Sequence, residues 1–325
     1  MHEILLKAYT SQRVFLSSAD RLVILSGNLL MYMDPFKGDD HYCRPKKVAG
    51  RKGRELESIL QCLDGVFGVS RETFQAGSGR FAGTLFWFPL RQRGSDLSST
   101  VYTKNSVENL LACFKAEASS VLLFLNCIER VTIFTRSDSV SPGLQPLFSV
   151  GIAPRCLHSV STKKRQFVED IRSAKGPMLS TSVLCIADVF IETCDHLTSS
   201  VDTEQWLVVN LHAGRRDLSH ALAQLCADPD LSYRPCVGVA IPLGGQTRFQ
   251  SQVFCFLPLP LDTRSPTGLP VHVHGYFALS QNRRHVKWPA AQRLSGGGHL
   301  DPPLHWNCLL LSELLPKVYS TALLR

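Results

Sequence analysis

No Cys-x-x-Cys pair, no Gly-x-Ser-x-Gly elbow and no Walker phosphate loop occurs in the 325 residues. Their absence removes the local signatures of a dithiol redox centre, a serine-hydrolase nucleophile and a P-loop NTPase. Long apolar runs are missing as well. The longest, Val121 to Leu125 and a little beyond, falls far short of the roughly 20 residues that a membrane-spanning helix needs. Met1 to Thr10 holds only Ile4-Leu5-Leu6 as an apolar stretch, too short for the core of a secretory signal. Nothing repeats with the period of collagen, a coiled coil or a solenoid. A cytoplasmic location with no membrane partner is expected.

What is present suits a globular chain. Its length allows two domains of ordinary size, and 44% hydrophobic against 19% charged residues gives each a core to bury. The 18 prolines and 22 glycines are spread along the chain, which predicts many turns rather than one low-complexity tract. Eleven cysteines, an odd number, sit mostly in apolar patterns, among them Cys113, Cys127, Cys185, Cys236 and Cys255. They read as reduced, small hydrophobes rather than a disulfide framework. The net charge of +8 comes from short clusters: Lys46, Lys47, Arg51, Lys52 and Arg54, then Lys163, Lys164 and Arg165, then Arg283 and Arg284. A nucleic-acid reader would carry one dense basic face with interleaved aromatics. These clusters read as solvated loops, with no nucleic-acid partner, although one could meet the phosphates of a nucleotide.

Periodicity predicts α/β (α+β) architecture. Residues 21–33 form two short strands about the turn Ser26-Gly27-Asn28. Residues 37–50 read as a loop. Arg54 to Leu63 places Leu56, Ile59, Leu60 and Leu63 at helical spacing, and Gly65 and Gly68 stop the helix. A strand follows at 83–90. A long helix starts near Asn105, with Glu108 completing a capping box, and Val131 to Thr135 is a strand. In the second half, strands are expected at 183–191, 206–211, 237–241, 253–257 and 271–279. Asp217 should cap a helix, and a helical tail from Trp306 should kink or restart at Pro316. The expected domains are a poorly defined N-terminus (1–13), a first domain (14–135), a linker (136–150) and a second mixed domain (151–325).

Phe81-Ala82-Gly83-Thr84-Leu85-Phe86-Trp87-Phe88-Pro89-Leu90-Arg91 carries the most information. It resembles the strand that closes the nucleotide site of Hsp90-like ATPase domains, in the version found in sacsin-like proteins. Asp20, Ser26-Gly27 and Asp34-Pro35 precede it in the order of that family. Phe67-Gly68 and Phe74 follow them, then Tyr102-Thr103 and Phe114-Lys115-Ala116-Glu117-Ala118. Leu257-Pro258-Leu259-Pro260, Thr267 to Val273, Gly275-Tyr276-Phe277-Ala278-Leu279, Asn282-Arg283-Arg284 and Trp306-Asn307 are similar to the next domain of a sacsin repeat. The resemblance implies the C-terminal part of an Hsp90-like (GHKL) sandwich followed by a second α/β domain. It implies a chaperone-associated role, with chaperones such as Hsp70 and client proteins as partners. ATP with Mg²⁺ is a cofactor by this implication alone.

The family pattern also calls for an adenine-reading Asp-x-Gly and a Gly-rich lid ahead of Ser17, and Met1 to Arg13 contains no glycine. Asp64-Gly65 lies too late in the order and reads as a helix stop. The expectation is therefore an N-terminally truncated member without ATP hydrolysis of its own; the alternative is a functional ATPase whose N-terminal motifs lie outside this sequence. An incomplete sheet would favour self-association. Gly83 and Thr84 are the vestigial ATP-site candidates, with a plain strand start as the other reading. Arg283 and Arg284 could reach a terminal phosphate, or form an ordinary basic turn. No catalytic residue and no metal site is expected. His272 and His274 lack a third ligand, Cys185 sits in an apolar strand, and Cys194 with His196 makes no recognisable nucleophile pair.

Overall fold

The computed structural model describes residues 4–6, 19–34, 36, 45–47, 54–136, 143–173, 178–228, 231, 233–244, 249–260, 268–288 and 301–325. Most of the N-terminal stretch 1–13 and of the basic loop 37–50, including Lys52 beyond it, lies outside these residues. The chain forms two compact units: Met1–Lys115 with Phe134–Pro146, and Ala116–Ile133 with Leu147–Arg325. The architecture is mixed α/β.

The first unit is built on a five-stranded sheet in the order β1-β5-β2-β3-β4. Its strands are β1 (Ile4–Leu6), β2 (Leu22–Gly27), β3 (Leu29–Met33), β4 (Pro45–Lys47) and β5 (Phe81–Phe88). Every pairing is antiparallel. β4 is a correction: the stretch read as a continuous loop contributes an edge strand, its Lys46 opposite Leu30. Alternation decides which face is buried. Val23, Leu25, Leu85 and Trp87 turn toward helix α1 (Arg54–Leu63), whose Ile59, Leu60 and Leu63 are buried against them. Gly65 ends that helix in the left-handed region at φ 76°. The Asp64 carboxylate accepts from the Arg71 amide at 2.8 Å, at the start of helix α2 (Arg71–Gln75). Arg136 returns to donate to the carbonyls of Cys62 and Asp64.

One ion pair ties the two most telling sequence blocks of this unit together. Arg91, with 1% of its side chain exposed, meets the Asp20 carboxylate at 2.6 Å. It also donates to the backbone oxygens of Thr100 and Ala19. The hydrogen bond from Arg91 holds the Asp20 carboxyl below its usual range. Helix α3 (Lys104–Val121) follows. Its cap is Thr103, not Asn105: Thr103 Oγ1 accepts from the Ser106 amide at 3.2 Å. Both residue types cap well, and Thr103 stands two residues closer to the preceding extended segment.

The second sheet has eight strands in the order β12-β11-β13-β10-β9-β8-β7-β6. They are β6 (Arg130–Arg136), β7 (Leu144–Ile152), β8 (Val183–Asp195), β9 (Ser200–His212), β10 (Cys236–Pro242), β11 (Val253–Cys255), β12 (Leu257–Pro258) and β13 (His272–Gly275). β11 and β13 run parallel. β8 and β9 form a long hairpin paired from Val183–His212 to Asp195–Ser200. β7 begins inside the stretch 136–150.

One face of this sheet is apolar across β9, β10 and β13. Leu207, Val209 and Leu211 from β9, Val237 and Val239 from β10 and Val273 from β13 pack against Trp306, Leu310, Leu314 and Val318. Those last four belong to helices α6 (Pro302–Leu309) and α7 (Leu315–Leu323) and to the π-helical turn Leu310–Leu314 between them. Pro316 explains that wide turn, since proline has no amide to donate and its ring crowds the carbonyl four residues back. Helix α4 (Pro154–Arg172) brings Phe167 to the opposite face, beside Cys185 and Cys236. Helix α5 (His220–Ala227) is capped by Ser219, whose hydroxyl accepts from the Leu222 amide. Asp217, the expected cap, instead accepts from the Ser182 hydroxyl.

Asn307 fastens the C-terminal helix. It is fully buried, accepts from the Ala278 amide at 2.8 Å, and donates to the carbonyls of Ala278 at 2.9 Å and Lys287 at 2.7 Å. Beside it, Trp306 Nε1 donates to the Tyr276 carbonyl at 2.9 Å. Asn307→Ala would take the partner from the buried Ala278 amide and from the Lys287 carbonyl and would open a small cavity, and it should cost about 2–4 kcal/mol in urea unfolding. The exposed control Leu323→Ala should stay within about 0.5 kcal/mol of the parent; equal losses for the two variants would refute the clamp.

Candidate functional site

The sheet of the first unit carries a bulge at its most informative residues. Ser26 pairs with Thr84 and Gly27 with Phe81, so Ala82 and Gly83 have no opposite number on β2. Gly83 sits there at φ 138°, a backbone conformation that side-chain-bearing residues rarely adopt. Glycine is required by the bulge itself, whatever else the site does. The Ser26 hydroxyl lies 3.3 Å from the Gly83 carbonyl and donates to it, and lies 3.0 Å from Thr84 Oγ1. With its own proton on Gly83, Ser26 accepts from Thr84, so the threonine hydroxyl is already engaged.

The bulge opens a cleft of about 600 Å³. Ser26, Gly27, Asn28 and Leu29 line one side; Arg80, Phe81, Ala82 and Gly83 line the other. The size suits a small ligand. Among the described residues, the lining offers one cation, Arg80, the serine hydroxyl, the Asn28 amide and backbone groups. Among them it offers no carboxylate and no imidazole, and so neither a metal ligand of the usual oxygen type nor a general base. Thr84, although outside the lining itself, borders it through Ser26.

Arg283 and Arg284 lie in the second unit, on an exposed turn that closes the bridge between Leu279 and Val286. The turn is made by their neighbours. Asn282 Oδ1 accepts from the Ser280 hydroxyl at 2.7 Å and from the Arg284 amide at 3.1 Å. The Arg283 amide donates to the Ser280 carbonyl, and Arg283 takes a left-handed φ of 56°.

His272 and His274 share one face of β13 and are buried. Their rings are taken up by stacking, His272 on Trp206 at 5.1 Å and His274 on Phe124 at 4.8 Å. His274 Nδ1 lies 3.3 Å from both the Phe254 carbonyl and the Phe256 amide. His272 Nδ1 is buried with no hydrogen-bond partner among the described residues. Desolvation lowers both imidazoles to a pKa of about 4. Among the described residues, no three His, Cys, Asp or Glu side chains are grouped to hold a metal ion, and no helix is long and apolar enough to cross a membrane.

Several contributors are invisible to local spacing. Lys164 is buried within helix α4 and donates to the carbonyls of Leu122 and Leu125 at 3.1 and 2.8 Å, just past the end of α3. Burial lowers it to a pKa of about 8. Near it, burial pushes the Cys185 thiol up, against the pull of Lys164, so this cysteine is inert as expected. Cys194 and His196, by contrast, are brought together: Cys194 Sγ lies 3.8 Å from His196 Nδ1.

Comparison with known proteins agrees with the sequence blocks. The family described as the sacsin domain matches residues 17–143. Human sacsin is 32% identical over 315 residues, which cover 93% of this chain and 7% of that protein. The chain thus spans a small fraction of the length of the curated relative it matches.

The buried histidines set a pH dependence. Their folded pKa of about 4 lies below the ordinary 6.5, so the unfolded chain binds more protons between those values. Stability is complete above pH 6.5 and is lost as pH falls toward 4, at up to about 1.4 kcal/mol per pH unit for each histidine. The melting temperature followed from neutral pH into this window should fall, and His272→Phe or His274→Phe should each flatten the fall. An unchanged slope in both variants would remove the histidines as its cause.

Proposed function

This chain is a sacsin-like protein, and we propose that it acts as a chaperone-associated interaction protein that does not hydrolyse ATP through its own residues. The lining of the bulge cleft carries this reading. Phosphoryl transfer needs cations on the phosphates, usually a magnesium ion held by oxygen ligands, and a residue that orients the attacking water. Among the described residues, the lining supplies one arginine and no acidic residue. The family resemblance gives the remainder of the proposal: an Hsp90-like sandwich for the first unit, chaperones of the Hsp70 type and unfolded clients as partners, self-association and a cytoplasmic setting. Large apolar side chains left exposed on the β8–β9 hairpin, Leu184, Leu197 and Val201, support interaction with other polypeptides.

A second reading has its own observation. The cleft has the volume of a small-ligand site, and the family resemblance would put a nucleotide at Gly83, so an ATPase completed by further residues is the alternative.

Calorimetric titration with ATP and Mg²⁺ separates the two. The first reading expects no saturable heat up to millimolar nucleotide, together with ATP-independent suppression of aggregation of a heat-denatured client at equimolar protein. Stoichiometric micromolar binding would establish the alternative. Failure to slow client aggregation at any ratio would overturn the interaction role.

A further inference from the structure

The hairpin of the second unit assembles a nucleophile, a base and an orienting hydroxyl from separate strands. Cys194 on β8 is directly opposite Ser149 on β7, so the two side chains share a face of the sheet. His196 lies two residues beyond Cys194, and its amide donates to the Leu147 carbonyl at 3.1 Å. That bond continues the ladder past the end of the strand and keeps His196 on the same face. Its Nδ1 is 3.8 Å from Cys194 Sγ, and its Nε2 is 3.3 Å from Ser149 Oγ. Ser149 is buried, Cys194 half-buried and His196 exposed.

The roles follow from donor and acceptor counts. With a proton on Nε2 given to Ser149 Oγ, Nδ1 is the free base that faces the thiol. When Nδ1 takes the thiol proton, both ring nitrogens donate, one to the thiolate and one to Ser149. The serine oxygen can thus accept from Nε2 before and after that transfer, and the second bond steadies the imidazolium that forms.

Charged groups share that face. Gly151 is two residues from Ser149 on the same face, and the Arg130 guanidinium carbon lies 2.9 Å from where a Gly151 Cβ would be. That places a cation diagonally across the strands from Cys194. Asp188 and Glu192 are the acids of β8 on that face, Glu192 opposite Gly151. The Asp195 carboxylate accepts from the Leu197 and Thr198 amides in the hairpin turn. Val201, across from Cys194 on β9, adds no charge. The other thiols differ: Cys185, Cys226, Cys236 and Cys255 are pushed up by burial. Cys113 and Cys127 are exposed, with no imidazole within hydrogen-bond distance among the described residues.

We propose that Cys194 is a nucleophilic thiol activated by His196 and Ser149, and that hydroperoxides oxidise it to the sulfenic acid. A half-buried sulfur admits a small electrophile of this kind. The thiolate attacks the distal oxygen of the peroxide; the sulfur–oxygen bond forms as the oxygen–oxygen bond breaks. Sulfur loses two electrons and the peroxide gains them. The leaving alkoxide or hydroxide takes the proton that Nδ1 had removed, so the products are the sulfenic acid and an alcohol or water.

The test treats the full chain with hydrogen peroxide near neutral pH, traps sulfenic acid with dimedone, and measures each cysteine by mass spectrometry. Cys194 should be labelled at least about tenfold faster than the exposed controls Cys113 and Cys127. His196→Gln should bring it down to their rate, and Ser149→Ala should slow it several-fold, with unfolding midpoints confirming that each variant is folded. Labelling of Cys194 at the rate of Cys113 and Cys127 would overturn the proposal even if a variant failed to fold.

Discussion

A single buried amide holds the second unit together. Asn307 spends all its hydrogen-bonding groups on the backbone at Ala278 and Lys287, with no water to compete. In a low-dielectric interior such a fully satisfied group specifies one arrangement, because any shift of the helix strands both the amide and its partners. Trp306 adds its own bond to the Tyr276 carbonyl. Together they fix where α6 lies, and α6 with α7 covers the apolar face of β9, β10 and β13. This gives a physical reason for three sequence blocks that look unrelated when read alone. Gly275 to Leu279 supplies the acceptors and a donor, Asn282-Arg283-Arg284 turns the chain back, and Trp306-Asn307 closes the clamp. The two arginines stand on that turn because its neighbours need the geometry.

The two faces of the eight-stranded sheet follow different rules. One is aliphatic across β9, β10 and β13, where helices cover it. The other holds Trp206, His272, His274 and Tyr276 on one side, with Cys185 and Cys236 under α4. Polar rings can be buried there only as neutral groups, and stacking on Trp206 and Phe124 compensates part of what their nitrogens lose. The outcome is a core whose cohesion depends on protonation, whereas the aliphatic face has no such dependence.

Local rules read much of this chain correctly. The β2–β3 hairpin was legible from alternation and Gly27, α1 from the spacing of Leu56, Ile59, Leu60 and Leu63, and the end of α1 from Gly65. Caps moved by two residues, from Asn105 to Thr103 and from Asp217 to Ser219, because several neighbouring side chains can cap and only the path of the preceding chain decides between them. The strand that Gly83-Thr84 belongs to was legible from its apolar run. That Ser26 engages Thr84 was not, since the partner lies 58 residues away. The same reason hid the Arg91–Asp20 pair and the joining of Cys194 and His196 to Ser149. Cross-strand register places these residues, and register is a property of the whole sheet rather than of any window of sequence.

The wide turn before Pro316 has a geometric consequence of its own. A π-turn houses one residue more than an α-helical turn would, and each residue advances a helix by about 100°. Leu315, Val318 and Ala322, buried in α7, therefore point at the sheet only because that surplus residue has rotated the end of the chain into phase with it. The helix behaves like a screw with one extra thread. A sequence one residue shorter between Leu310 and Leu314, even with every apolar residue retained, would carry its greasy stripe round to the wrong side.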